Sequence, residues 1–321
     1  MIGAVARLVS ASFTDIRLFV AAYEERSFTL AAQRENATQS GVSQHIAKLE
    51  SRLGAALFVR DKGRIAPTPA ADAYYVRCLD VLRAYEAASG SLEGLAGRLS
   101  GEISVGLMPT MTRSALAPAL ARFSGEHPNV AVKVVEAYSG ALTRDVRAGL
   151  YDFAIVPAFA GGAGVKVRPF LSTPETLVSR KAGGAAHGAR HLAPVRMVDL
   201  GPLKLVLPGP DNTRRQTLAT YFATNGVTVA RTMELDAMMG TLDYVGSSDW
   251  VTVLPGVMMA NDVDERRFKV NPLAAPRLDL DLVSIEPTRR ALSPPAAAFF
   301  TILAAETQRL NQAWARPLRD R

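Results

Sequence analysis

The 321-residue chain has a single cysteine, Cys78, so no disulfide can close within it, and a reducing compartment, by default the cytoplasm, is the expected setting. No charge-free apolar run reaches the ~18 residues of a membrane span, and the first twelve residues, MIGAVARLVSAS, carry Arg7 where a signal peptide needs an unbroken apolar core. Residues 1–12 are expected to be a disordered extension, such as an early-assigned start codon leaves. Histidine is scarce: His187 and His191 lie four apart in the Gly-containing surface stretch AHGARH, His45 and His127 stand alone, and no metal site is expected. GxSxG, SxxK and HExxH elements are missing, as are GxGxxG after a strand and the P-loop pattern, so no catalytic residue and no nucleotide cofactor is assigned. With 48% hydrophobic and 21% charged residues the chain is neither disordered nor fibrous, and its length accommodates two domains or more. The net charge of +7 favours a polyanionic partner only weakly, because residues 1–98 carry just 12 basic against 10 acidic side chains.

What is present begins with TQSGVSQHIAKLESRLG, residues 38–54. Thr38 is a helix N-cap, Gly54 a C-terminal stop, and Val42, Ile46, Leu49 and Leu53 repeat at the spacing of one buried stripe. The opposite face carries Gln39, Ser40, Ser43, Gln44, His45 and Lys48. A merely solvated helix more often carries Glu and Lys pairs, whereas amides and short hydroxyls read base edges and phosphates. Upstream, DIRLFVAAYEERSF puts Ile16, Phe19, Val20 and Tyr23 on one helical face, and Ser27 or Thr29 caps a short helix, TLAAQRE. Helix, short helix, turn and longer helix within ~40 residues form a helix-turn-helix pattern, whose last helix enters the DNA major groove. ALFVRDKGRIAPT then reads as two short strands around a turn, a basic wing with Arg60, Lys62 and Arg64 near its tip, placed for phosphates or the minor groove.

Thr68 and Pro69 open another helix, in which Ala71, Tyr75, Cys78, Leu82, Tyr85, Ser89 and Leu92 alternate spacings of 4 and 3, a heptad seam. Such a seam requires a partner helix, most economically from a second copy of the chain, with Tyr75, Cys78, Leu82, Tyr85 and Leu92 at the dimer contact and Cys78 a small apolar residue. GLAGRLSGEIS, residues 94–104, reads as a hinge. Beyond it strands and helices alternate, EISVGLM, VAVKVVEA and DFAIVPA in one block and LKLVLPG, VTVARTMEL and WVTVLPG in a second from about residue 173 to 270. This is an α/β doubly wound layout whose ligands sit at the carboxyl ends of strands, and two such lobes imply a hinged small-molecule binder. DVDER and LDLDL read as a solvated loop and an edge strand, and Met238 and Met239 as core.

Together IRLFVAAYEERSFTLAAQ, TQSGVSQHIAKLESRLGAALFVR, VGLMPT with RSALAPALARFSGEHPNV, AGLYDFAIV and VLPG resemble a LysR-type transcriptional regulator, in order from Phe13 to about Phe300. The resemblance implies a winged helix-turn-helix over 13–68, a linker helix over 69–98, and a two-lobed, periplasmic-binding-protein-like domain over 99–310. Lobe I is expected at about 102–172 and 271–300, lobe II at about 173–270, and a basic tail at 311–321. It also implies a homodimer or dimer of dimers on double-stranded promoter DNA, a small-molecule effector, and RNA polymerase as a partner, with no membrane and no cofactor. Thr38, Gln39, Ser40, Ser43, Gln44, His45, Lys48, Arg60, Lys62, Arg64 and Thr68 fall where such regulators contact DNA. The chain departs from the family at Glu35 and Ala37, usually apolar, at Gln44, usually basic, and at Pro67; looser packing under the turn and an altered wing-to-linker angle are expected.

In the C-terminal part, MPTMT matches the family's effector loop. Thr110 and Thr112 hydroxyls at a helix N-terminus suit a carboxylate or other anion, with Met108, Pro109 and Met111 as apolar walls. Pro157 and Ala158 end the opposite strand, and Asn212, Thr213 and Arg214 open a helix facing the cleft; Arg214 is either a carboxylate clamp or, more simply, a surface arginine. A solute-binding receptor without a DNA role is the alternative reading, but it leaves residues 13–98 without a purpose, and an enzyme is a weaker third.

Overall fold

The computed structural model describes residues 11–61, 64–94, 99–162, 164–181, 188–210, 212–264, 267–288 and 291–314. The chain divides into two compact units, Met1–Ala96 and Gly97–Arg321.

In the first unit, α1 (Phe13–Glu25), α2 (Phe28–Arg34) and α3 (Gln39–Leu53) are followed by a hairpin of β1 (Phe58–Asp61) and β2 (Arg64–Pro67) and by α4 (Pro69–Gly94). Each helix start has a local chemical cause. Ser12 and Asp15 form a reciprocal capping box on α1, and the Ser27 and Thr38 hydroxyls accept the backbone N–H of Leu30 and Gly41. Gly54 ends α3 at φ +66°, a left-handed conformation that costs glycine little. Leu18, Phe19, Ala22, Ala31, Val42, Ile46, Leu49 and Leu57 fill a core beneath these helices. The disordered extension expected over residues 1–12 is corrected at its end, since Ala11 packs on this core and Ser12 caps α1; residues 1–10 lie outside the described residues. Leu53 is also corrected: it is 42% exposed, having passed beyond the edge of the stripe that buries Val42, Ile46 and Leu49.

The seam on α4 finds much of its partner in its own chain. Ala71 and Cys78 are buried, and Tyr75 and Leu82 pack on the same core, because α1 lies alongside. Tyr75 stacks on Tyr23 at 4.0 Å and donates to Glu24 at 2.6 Å; Tyr85 meets the Phe13 ring at 4.4 Å. Cys78, expected to face a second copy, is instead covered within its own chain, while Tyr75 and Leu82 are only partly buried there. Val81 and Tyr85 remain exposed, and the side chains of Ser89 and Leu92 lie outside the described residues.

The second unit is built on one mixed sheet. Its strands are β3 (Gly101–Leu107), β4 (Val130–Glu136), β5 (Phe153–Pro157), β6 (Val165–Arg180), β7 (Leu203–Leu207), β8 (Val229–Glu234), β9 (Val251–Pro255), β10 (Phe268–Pro272) and β11 (Asp279–Pro287). The order is β4-β3-β5-β11-β6-β9-β7-β8, with β10 on β6. β3 is parallel to β4 and β5, and β7 is parallel to β8 and β9, so each end of the sheet is a parallel, helix-covered half. β6 joins them: its first residues pair antiparallel with β11 and its last with β9 and β10. The covering helices are α5 (Pro109–Arg113), α6 (Leu116–Glu126), α7 (Ser139–Arg147), α8 (Thr213–Thr224), α9 (Met238–Ser247) and α10 (Pro294–Asn311). Ile103, Leu107, Phe123, Phe153 and Phe299 centre lobe I; lobe II has two clusters, around Leu205 with Leu218 and around Trp250 with Met258.

Three expectations are corrected here. LDLDL contributes to β11, an interior strand between β5 and β6. Asp262 of DVDER is buried and paired with Arg113 at 2.7 Å. The expected tail begins later, because Asn311 ends α10 and Trp314 is buried; residues 315–321 lie outside the described residues.

Candidate functional site

The outer face of α3 presents Gln39, Ser40, Gln44 and Lys48 to solvent, with Ser43 and His45 half-buried beside them. Beneath this face a buried carboxylate aligns the helix. Asp15 accepts from Arg52 at 2.5 Å, lies 2.6 Å from His45 Nδ1, and accepts the Ser12 N–H at 2.8 Å. Burial alone would raise its pKa, but these hydrogen bonds hold it down to about 2. His45 is thus oriented by α1 as well as carried by α3. Glu50 at the other end of α3 accepts the N–H groups of Leu57 at 2.7 Å and Phe58 at 3.0 Å, which ties the wing to the helix.

The turn before α3 is not loosened by Glu35. Its side chain is 13% exposed and pairs with Arg17 of α1 at 2.6 Å, so an ion pair replaces the usual apolar plug. Thr68 hydroxyl donates to Ala56 O at 2.7 Å and accepts the Ala71 N–H at 3.1 Å, making it the joint between wing and linker helix. The Asp61 to Arg64 hairpin end forms as expected, while Lys62 and the side chains of Arg60 and Arg64 lie outside the described residues. Burial pushes the Cys78 thiol up to about 12, which leaves it inert at neutral pH.

In the second unit a cleft of about 600 Å³, counting its open mouth, lies between the lobes. Met108, Pro109, Thr110 and Pro157 line one wall and Asn212 and Arg214 the other, all from the expected set. Met111 is fully buried in the lobe I core, and Ala158 and Thr213 are exposed and do not line the cleft. Thr112 is also absent from the lining; its hydroxyl donates to Glu136 and to Pro109 O. Met238 packs on the lobe II core, as expected, and also lines the cleft, while Met239 is 66% exposed, which corrects the reading of it as core. Tyr138, Ser139, Leu235, Thr241, Thr252 and Leu254 are among the further lining residues. Thr252 and Leu254 fall in the quoted WVTVLPG stretch and Leu235 in VTVARTMEL, but nothing local marks any of them as cleft lining, since the cleft forms only when the two parallel half-sheets face each other.

Arg214 corrects both readings offered for it. Its side chain is only 11% exposed, and it grips Glu175 of β6 in a bidentate pair, Nε to Oε1 at 3.1 Å and Nη2 to Oε2 at 2.8 Å. Nη2 also donates to Val253 O at 3.2 Å.

A winged helix-turn-helix with an exposed polar reading face, on one chain with a two-lobed α/β domain enclosing a ligand-sized cleft, defines a ligand-responsive DNA-binding regulator. Family comparison assigns it: residues 13–72 match the bacterial regulatory helix-turn-helix protein, lysR family, and residues 96–308 match the LysR substrate binding domain. The chain belongs to the LysR family of transcriptional regulators. It is 26% identical over 298 residues to the nitrogen assimilation regulatory protein nac of Klebsiella aerogenes, covering 92% of this chain and 94% of the relative. A probable hydrogen peroxide-inducible genes activator of Mycobacterium avium is 27% identical over 267 residues, covering 83% and 85%. Among solved structures, a full-length OxyR variant from Pseudomonas aeruginosa superposes with a TM-score of 0.70 at 23% identity over 94% of this chain and 96% of that one. No helix among the described residues is long and apolar enough to cross a membrane.

Proposed function

We propose that α3 reads operator bases through Gln39, Ser40, Ser43 and Gln44, while Lys48 and the wing residues Arg60, Lys62 and Arg64 supply salt-dependent phosphate affinity. The observation that carries this reading is the row of exposed amides and hydroxyls on a helix whose opposite face is anchored by Val42, Ile46 and Leu49. Full-length CbnR, which superposes with a TM-score of 0.61 at 18% identity over 92% of this chain and 99% of that one, was solved with its target DNA. That complex supports the same role for this fold. His45 and Thr38 border the reading face, and Thr68 fixes the wing. Two copies joined through Val81 and Tyr85 of α4 meet half-sites about 34 Å apart or a multiple of it.

A small molecule bound between the lobes biases one quaternary arrangement, which requires different affinity for the two. The protein works in the cytoplasm, engages RNA polymerase at the promoter, and performs no catalytic step.

The test is a gel-shift and footprint on the DNA upstream of its own gene across a salt series, with random DNA as control. A two-fold-related site preferred by ~10³ or more is expected. Gln44→Ala should relax base preference, and Arg64→Ala should weaken all DNA and reduce the salt slope by ~1. Equal losses on cognate and random DNA for Gln44→Ala would remove the readout role.

A further inference from the structure

The charge of the effector cleft departs from what a carboxylate ligand needs. Arg214 is the lining cation among the described residues, and Glu175 already matches it through two parallel hydrogen bonds, from Nε and from Nη2. What Arg214 can still offer is a hydrogen bond, not an unbalanced charge. Negative charge lies nearby as well: the Tyr138 phenol in the lining is raised first by burial and then by Asp236 from lobe II and Glu136 from lobe I. Moving an anion from water into such a place leaves its charge uncompensated.

The walls hold two hydroxyls that a ligand would complete. Thr110 from lobe I and Thr241 from lobe II are each 5% exposed, both line the cleft, and neither Oγ has a hydrogen-bond partner among the described residues. The remaining lining is largely apolar, with Met108, Pro157, Leu235, Met238 and Leu254.

We propose that Glu175 sets the charge class of the effector: by neutralising Arg214 it makes the cleft selective for an uncharged amphiphile, an apolar body whose hydroxyl or carbonyl groups bond Thr110 and Thr241. The assignment rests on the cleft being the effector site. Glu175 acts through Arg214 and is a positioning residue, so its effect appears as a change in ligand preference.

Matched neutral and anionic probes test this on the full-length protein at pH 7.5: benzamide with benzoate, phenylacetamide with phenylacetate, and indole-3-acetamide with indole-3-acetate, each by isothermal titration. At least one amide is expected to bind 10-fold or more tightly than its acid. Glu175→Gln, which leaves the Arg214 charge unmatched, should move that ratio 10-fold or more toward the carboxylate, and adding Arg214→Gln should return it to the amide. Tighter carboxylate binding by the unaltered protein, or a ratio unmoved in folded Glu175→Gln, overturns the assignment while leaving the cleft as the effector site. If no member of any pair binds the unaltered protein, the proposal falls together with the cleft reading. Should Glu175→Gln fail to fold, the ratio in the unaltered protein and in the double variant decides.

Discussion

At the scale of the residue, Asp15 illustrates how a buried charge becomes structural. It is 3% exposed, and His45, the Ser12 N–H, Arg52 and the Ser12 side chain hold its ionised form. Its folded pKa of about 2 lies below the ordinary 3.8, so ionisation stabilises the fold above the ordinary value, and that stability is lost as pH falls through 3.8 toward 2. The shift corresponds to about 2 kcal/mol. Asp15→Asn should cost roughly that much at pH 7 in the N-terminal urea transition, and the difference from the unaltered protein should shrink as pH is lowered from 4 toward 2. A difference that is independent of pH would mean that Asp15 acts only through its capping geometry. Neither Asp15 nor Glu50 carries a local signal of its role in the sequence. Asp15 reads as a first-turn acid and Glu50 as a surface charge until α1, α3 and the wing are brought together.

At the scale of the element, α4 divides its seam between two tasks. Its first half is occupied by α1, through the Tyr23 and Tyr75 stack and buried Cys78. Tyr85 of the seam at 57% exposure and Val81 beside it at 45% are left as apolar surface that a second chain would cover. Val81→Asp should therefore weaken self-association by about 10-fold or more without unfolding the first unit, since a charge placed in an apolar contact is desolvated without a partner. Sedimentation velocity across a concentration series reads this directly, and unchanged association would move the interface elsewhere. The heptad spacing itself was legible in the sequence. Which of its positions meet α1 was not, because a period of 3.5 residues specifies a partner helix but not whose it is.

At the scale of the whole molecule, the lobes of the second unit are linked by more than the sheet. Arg113 of α5 donates to Met258 O and to Asp262, whose segment Gly256–Asp262 places Met258 and Met259 in the lobe II core. Removing the guanidinium leaves a buried carboxylate and a carbonyl unmatched, a loss of roughly 1–3 kcal/mol. Arg113→Ala should lower the melting temperature of the second unit, by about 2–4 °C per kcal/mol for its size, and speed amide exchange in Gly256–Asp262. Unchanged exchange there would make the pair incidental. The relatives named for nitrogen assimilation and for hydrogen peroxide share this architecture at 26% and 27% identity with the chain. Two differently named signals on one family of sequences mean that the fold by itself does not specify the signal.

The amino-acid order alone determined the helix starts at Thr38 and Thr68, the hairpin, the buried stripe of α3, its polar reading face and the alternation of strands and helices, because capping, turns and periodicity act over a few residues. Tertiary structure decided the rest. It brought Glu175 of β6 onto Arg214 of α8, set β11 in the interior of the sheet, and placed Thr110 opposite Thr241 across one cleft. These residues are separated by tens of positions along the chain: the Glu175–Arg214 pair exists only once β6 and α8 pack together within lobe II, and the shared cleft only once the two half-sheets face each other.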